Sequence, residues 1–411
     1  MIITKLKLKN WYSFADCELD LTYPRKVVDS TIPYEYLPGY ENIRYKRVII
    51  LTGANASGKT CFSKILIAIL GYLDDKEITK YFTEGMHPDK NELEFEIEFI
   101  NKLPVASFSS RSVNLKYPNY NHLHSLKVVM SKTEDNMIGV QFLYKTVEIK
   151  KEDNIHKLRN ILNNLSHETI FKSRHTTYLT NVWNNLEATQ YSMQYFIDLD
   201  FNVGRSFLYN DLSIENKFDD ATVLTKEILL PVLKTFDPSI VSVEDILDIS
   251  DKFGGFYINF KNKDKVYLTK QGDVPKEDRY LFSLGTYEGV KVARLICDLF
   301  CMQYESYTLL MDEGMPYVQS EIERSILALI IEKMNTYSQF FYTTHNYDIL
   351  DMNLPIHSYL FLKKDKNHHS YFIRAEDHFN KNDRSIVNYV KNDVLATLPD
   401  TSLIDELMLR D

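Results

Sequence analysis

Gly53-Ala54-Asn55-Ala56-Ser57-Gly58-Lys59-Thr60 follows the apolar run Val48-Ile49-Ile50-Leu51 and precedes a second apolar run from Cys61 to Leu70. Strand, glycine loop, helix is the order a phosphate-binding loop needs. Backbone N–H groups of such a loop wrap a phosphate at the positive end of the helix. Gly53 and Gly58 permit backbone conformations that a side chain would obstruct. Lys59 is placed to reach the β- and γ-phosphates, and Thr60 to offer its hydroxyl to Mg²⁺. Gly53, Asn55, Ala56, Ser57, Gly58, Lys59, Thr60 and Cys61 are therefore the candidate nucleotide contacts. Two Gly, one Lys and one Ser/Thr at fixed places arise by chance on the order of once per hundred chains of this length.

Two apolar strands further along carry the complementary chemistry. Tyr307-Thr308-Leu309-Leu310-Met311-Asp312-Glu313 reads as a buried strand ending in two acids. Asp312 would join Thr60 in the Mg²⁺ shell, and Glu313 would polarise an attacking water. Gln339-Phe340-Phe341-Tyr342-Thr343-Thr344-His345 is a second buried strand with a polar end. Alternating strands and helices bring consecutive strand ends to one edge of a parallel sheet, so His345 is expected near the γ-phosphate or the water. Glu313, His345 and Lys59 form the candidate catalytic set. Ser283-Leu284-Gly285-Thr286 opens an apolar-periodic helix, where free N–H groups suit an anion and Ser suits an N-cap.

The rest of the chain frames these segments. Met1 to Leu8 alternates as a strand rather than a signal peptide, and residues 1–21 read as two strands around Asn10-Trp11-Tyr12-Ser13-Phe14. Leu21 to Lys46 reads as a long loop or hairpin. Asn91 to Ile100 alternates strictly, and strand-like segments follow near Val113–Tyr117, Ser125–Ser131 and Val140–Lys150, suggesting a meander. Helical spacing marks Ile155 to Leu165 and Ala221 to Leu233, so residues 151–235 are expected to form a helical insertion, a lid or arm. Strands return at Gly255–Phe260 and Lys265–Leu268, a helix is expected from Ser320 to Met334, and the tail from Ser358 carries one or two strands and a short helix. The lone histidines His167 and His175 read as surface or core residues.

Composition bounds the function. The 411 residues suffice for two to three domains. A net charge of -9 argues against a broadly basic nucleic-acid surface. One local basic cluster, Lys363, Lys364 and Lys366 with His368 and His369, reads as a solvated loop. No run is long enough for a membrane span, and Cys17, Cys61, Cys297 and Cys301 form no C-x-x-C pair, which suits a reducing cytoplasm.

Phosphate loop, Ser-x-Gly-Thr helix start, Asp-Glu strand and His strand, in this order, resemble the ABC-type ATPases of the SMC, RecF and OLD kind. The likeness is strongest to single-chain, OLD-like predicted AAA ATPases, some of them found in bacterial anti-phage systems. Asn10-Trp11-Tyr12-Ser13-Phe14 is similar to the Asn-aromatic-x-Ser-Phe opening of that group, and the resemblance covers residues 1–100 and 235–365. It implies an α/β fold, an ABC-type P-loop ATPase head with a mixed β-sheet and the helical insertion. The parts would be 1–100 with the phosphate loop, 101–150 as the meander, 151–235 as the insertion, 236–365 as the second half of the head, and 366–411 as a tail.

The resemblance also implies ATP and Mg²⁺ as ligands, with Ser283 and Gly285 contacting the γ-phosphate of a nucleotide held by a second copy. A homodimer or higher homo-oligomer follows. Ser-Leu-Gly-Thr replaces the Leu-Ser-Gly-Gly-Gln of transporters, and Gly314-Met315-Pro316-Tyr317-Val318 departs from the usual loop after the catalytic Glu. For the Mg²⁺-contacting Gln of the family, Gln141 is a candidate that the residues do not single out. The segment after Ser358 is short for a Toprim module, so an effector such as a Toprim-type or other nuclease is expected as a separate protein, with DNA or a phage protein as trigger. The implied role is an ATPase that senses or scaffolds in anti-phage defence; the alternative is a RecF/SMC-like ATPase of DNA repair or chromosome maintenance.

Overall fold

The computed structural model describes residues 1–24, 30–75, 78–87, 89–101, 105–106, 121–132, 138–165, 171–173, 199–200, 203, 205–209, 224–247, 252–275, 278–301, 306–379, 386–398 and 402–408. The first sheet is built on the alternating segment. β1 (Ile2–Trp11) and β2 (Phe14–Asp20) form a hairpin, and the small hairpin β3 (Tyr36–Leu37) and β4 (Tyr40–Arg44) follows. After β5 (Val48–Thr52), α1 (Lys59–Asp75) and α2 (Lys80–Gly85) comes β6 (Glu92–Asn101). In β6, Leu93, Phe95, Ile97 and Phe99 are fully buried. The opposite face carries acids: Glu94 pairs with Lys127, Glu96 with Lys7, and Glu98 with Arg159. A period of two with charge partners on the wet face is what a half-buried antiparallel strand requires. With β7 (Val105–Ala106) apart, β8 (His122–Lys132), β9 (Ile138–Glu148) and, beyond α3 (Ile155–Asn164), β10 (Phe171–Ser173) complete an antiparallel sheet in the order β10-β9-β8-β6-β1-β2.

The second sheet gathers strands from across the chain. Among the described residues β11 (Leu199–Asp200) pairs with β7 alone, whereas β12 (Arg205–Tyr209) enters the central sheet. Then come α4 (Lys226–Phe236), a three-stranded sheet of β13 (Ile240–Leu247), β14 (Phe253–Phe260) and β15 (Lys265–Thr269), and α5 (Leu284–Cys301). β16 (Thr308–Asp312), α6 (Ser320–Lys333), β17 (Gln339–Thr344), β18 (Tyr359–Lys364) and β19 (Ser370–Arg374) follow, with short helices α7 (Ala375–His378), α8 (Ile386–Lys391) and α9 (Ser402–Met408). The order is β12-β16-β17-β5-β18-β19; the first five strands are parallel and β19 is antiparallel. The fold is thus α/β with mixed strand directions.

Both faces of this sheet are covered, as parallel sheets demand. Ile49, Leu51, Leu310, Phe341 and Leu360 share a core with Phe62, Ile65 and Ile69 of α1 and with Ile3, Leu6 and Leu8 of β1, so α1 lies between the two sheets. Val48, Ile50, Leu309, Phe340 and Tyr342 face the other way, onto Val290 and Ile296 of α5 and Ile330 of α6. The segment 151–235 is not uniformly helical among its described residues: α3 and α4 flank β12, whose register runs Arg205 against Thr308 to Tyr209 against Asp312. A five-residue strand gets its backbone partners from β16, which no local periodicity announces. Val113–Tyr117, His167 and His175 lie outside the described residues.

One buried amide is a tie between the two sheets. Gln339, fully buried, accepts from Ile3 N at 2.6 Å and donates from Nε2 to Ile3 O and Lys46 O, each at 2.9 Å. Gln339→Leu keeps the volume but leaves three buried backbone groups unpaired. It is expected to cost about 3 kcal/mol, read from the urea midpoint at constant m.

Candidate active site

The glycine loop joins Thr52 of β5 to Lys59 of α1 and is fixed from outside by hydroxyls. Gly58 has φ +113°, and a Cβ there would lie 2.6 Å from Ser370 Oγ and 3.1 Å from Ser13 Oγ. Ser370 Oγ donates to Ser57 O at 2.6 Å, so Ser13 Oγ is the donor in its 2.7 Å bond to Ser370 Oγ. Ser370 N also donates to Ser13 O at 2.7 Å. The β1–β2 turn and the first residue of β19 thus hold the loop. A Cβ on Gly53 would strike Leu362 O. Ala56 takes φ +59°, and Asn55 and Ala56 stand exposed at the crest. Thr60 and Cys61 are half-buried at the start of α1, where burial pushes the Cys61 thiol up.

The ends of β16 and β17 meet this loop. Asp312 is buried, and its Oδ1 accepts from Ser63 Oγ at 2.7 Å and Thr343 Oγ1 at 2.6 Å. Both donors load one oxygen, which fixes the carboxylate's plane. Glu313 leaves the strand with φ +47°, and its N–H is shared between Thr343 O and Thr343 Oγ1, each at 3.1 Å. Its Oε1 lies 2.6 Å from His345 Nε2 and 3.9 Å from Lys59 Nζ. Lys59 Nζ donates to Gly53 O at 2.9 Å and Ala54 O at 3.2 Å, and lies 3.1 Å from His345 Nδ1. An ammonium has no acceptor, so Nδ1 accepts and the ring proton sits on Nε2, donating to Glu313. Burial lowers the Lys59 pKa to about 8, against the pull of Glu313 and then Asp312.

A cation, two carboxylates and an imidazole therefore converge on the mouth of a glycine loop. The loop fits a phosphate chain on two observations: the crowding at Gly53 and Gly58, and the buried Ser57 Oγ, which has no hydrogen-bond partner among the described residues. Asp312 and the half-buried Thr60 are the oxygen ligands on hand for Mg²⁺, a hard cation that prefers them.

Lys59, Asp312, Glu313 and His345 are brought together; Ser283 and Gly285 belong to another neighbourhood. Ser283 Oγ caps α5 by accepting from Thr286 N at 3.0 Å, and the Cβ position of Gly285 is nearest Tyr317 O. This helix start is exposed, as are Leu284 (63%) and Tyr317 (62%) beside it. One turn on, the buried Glu288 accepts from Tyr317 N at 3.3 Å, and burial pushes its pKa up to about 7. Gln141 sits on β9 in the antiparallel sheet, between Val129 and Lys172, not at the strand ends of the central sheet. Lys363 and Lys364 end β18, and the turn beyond them is closed by Asp365, which accepts from the N–H groups of Asn367 and His369. Ser63, Thr343, Ser13 and Ser370 are additions. Ser63 was within reach of the sequence, lying one helical turn beyond Lys59 on the same face.

Between pH 8 and 10.5 the unfolded chain holds the Lys59 proton more tightly than the folded one, so stability rises with pH there. Urea unfolding of the protein and of Lys59→Met should show a parent-minus-variant stability difference that grows in the parent's favour from pH 7 to pH 10, by on the order of 2 kcal/mol.

No protein-family model matches the chain, and no curated protein matches it. Among solved structures the chain is similar to an SMC head bound to the C-terminal winged-helix domain of ScpA, at 12% identity over 92% of this chain and 100% of that one, TM-score 0.48. It is also similar to the SMC head domain from Thermotoga maritima, at 13% identity over 91% and 99%, TM-score 0.39. A third is the Smc head domain with a coiled coil and joint derived from Pyrococcus yayanosii, at 10% identity over 95% and 99%, TM-score 0.46.

Proposed function

We propose that the chain binds ATP with Mg²⁺ in the Gly53–Thr60 loop and hydrolyses it. The observation that carries this reading is the contact of Glu313 Oε1 with His345 Nε2 at 2.6 Å, beside the ammonium of Lys59. Lys59 and the loop N–H groups would hold the phosphates. Thr60 and Asp312 would hold Mg²⁺, which supplies charge neutralisation on the phosphate oxygens. Glu313, aimed by His345, would take the proton of the attacking water. The backbone of Glu313, pinned to Thr343, keeps that carboxylate off the line of β16 and over the loop. The exposed start of α5, with Ser283, Leu284, Gly285 and Tyr317, supports a homodimer in which each copy presents this surface to the other's nucleotide. The motif order supports an OLD-like role, in which turnover would control a separate effector, a nuclease or toxin, in anti-phage defence.

Glu313→Gln is expected to keep ATP binding and lower turnover by at least about 100-fold, the scale of a lost general base. Phosphate release and analytical ultracentrifugation with ATP check this: the variant should accumulate as an ATP-bound dimer, and unchanged turnover would overturn the assignment of Glu313. Mass spectrometry of what co-purifies with that variant from its host tests the second half. A nuclease or toxin is the expected companion; replication or repair factors in its place would count against the defence role.

A further inference from the structure

β17 presents two faces at its end. Thr343 points toward Asp312, whereas Tyr342 and Thr344 point the other way, toward α6. There they meet one buried carboxylate, Glu323, 2% exposed. Its Oε1 accepts from Tyr342 OH, and from Thr344 Oγ1 at 3.3 Å. Its Oε2 accepts from Asn346 Nδ2 at 2.7 Å. Thr344 Oγ1 in turn accepts from Asn346 N at 2.9 Å, and Asn346 Nδ2 also reaches Ser320 Oγ at 3.0 Å, at the start of α6. The three donors to Glu323 come from the residues three before, one before and one after His345. The His345 side chain is itself 42% exposed, so its own packing does little to aim it.

We infer that Glu323 is a positioning residue: holding the side chains of Tyr342, Thr344 and Asn346 on both sides of His345 from behind, it sets the imidazole between Lys59 and Glu313. The inference rests on the reading of Glu313 and His345 as parts of an ATPase site. A carboxylate suits the task because it is all acceptor and faces only donors. Burial raises its pKa against the pull of Tyr342, Asn346 and Thr344, so the acid is kept there at a cost that plain packing does not require. A glutamine in its place would turn an amide N–H₂ toward one of those donors and release one side of the grip.

The test uses the full chain and two readouts. Long-range ¹H–¹⁵N spectra report the tautomer of His345, identified by its loss in His345→Gln; turnover with ATP reports kcat and KM. The parent should show the Nε2-protonated ring. In Glu323→Gln the ring should average between tautomers, with kcat down about 10- to 100-fold and KM within about threefold, the pattern of a misaimed group rather than a lost binding contact. Thr344→Val, which removes one hydroxyl at constant shape, should do the same to a smaller degree and stands in if Glu323→Gln fails to fold. A parent-like His345 spectrum in whichever variant folds would overturn the inference. Absence of ATP turnover in the parent would instead sink the ATPase reading, and the ring spectrum would still decide the positioning.

Discussion

Parallel pairing of β5, β17 and β16 is the constraint on which the site depends. Thr52 stands against Thr344, and Thr343 against Asp312, so the three strands end together. Whatever follows each end must then share one edge: the glycine loop after Thr52, Glu313 after Asp312, and His345 after Thr344. No single contact brings Lys59, Glu313 and His345 within reach of one another. The ladder does it, and short side-chain bonds across the ladder, Thr343 to Asp312 and to Glu313 N, trim the result.

The ladder in turn needs both faces buried, and this divides the labour among the helices. α1 carries Lys59 at its head and Ser63 one turn on, and its apolar residues lie between the two sheets. The antiparallel sheet therefore supports the phosphate loop mechanically. Ser13, at the turn of its first hairpin, and Gln339, which reaches Ile3, are the places where it grips the central sheet. On the opposite face α6 contributes Glu323 beneath the end of β17. The loop is braced by Ser370 of one sheet and Ser13 of the other, the histidine sits at a strand end backed by one helix, and the two meet at Lys59.

Much of this was legible in the sequence because it is local. Gly53 to Thr60 between two apolar runs, the apolar strands ending in Asp312-Glu313 and in His345, and the strict alternation of 91–100 each carry their meaning within a few residues. What was hidden depends on long-range partners. β12 is a strand because β16 offers it an edge, and nothing in Arg205–Tyr209 separates it from the helices on either side. Ser370 reaches Ser57 across more than three hundred residues, and a serine in a late hairpin gives no sign of that. Glu323 reads as one more acid in the first turn of a helix, a position acids favour for the dipole alone; its burial beneath Tyr342 is a property of the packed layer.

The segment after Glu313 also reaches the exposed start of α5. Gly314 to Val318 leaves Glu313 and returns to α6, and its sequence gives no hint of what it touches. In the fold, Tyr317 N donates to Glu288, one helical turn inside α5 from Ser283 and Gly285. Glu288 is buried, and that burial raises its pKa to about 7. The segment that begins at Glu313 is thus hydrogen-bonded to the helix whose start faces solvent. The link between the segment after Glu313 and the exposed helix start is a buried acid and a backbone N–H, a pair of groups that leaves no motif in the sequence.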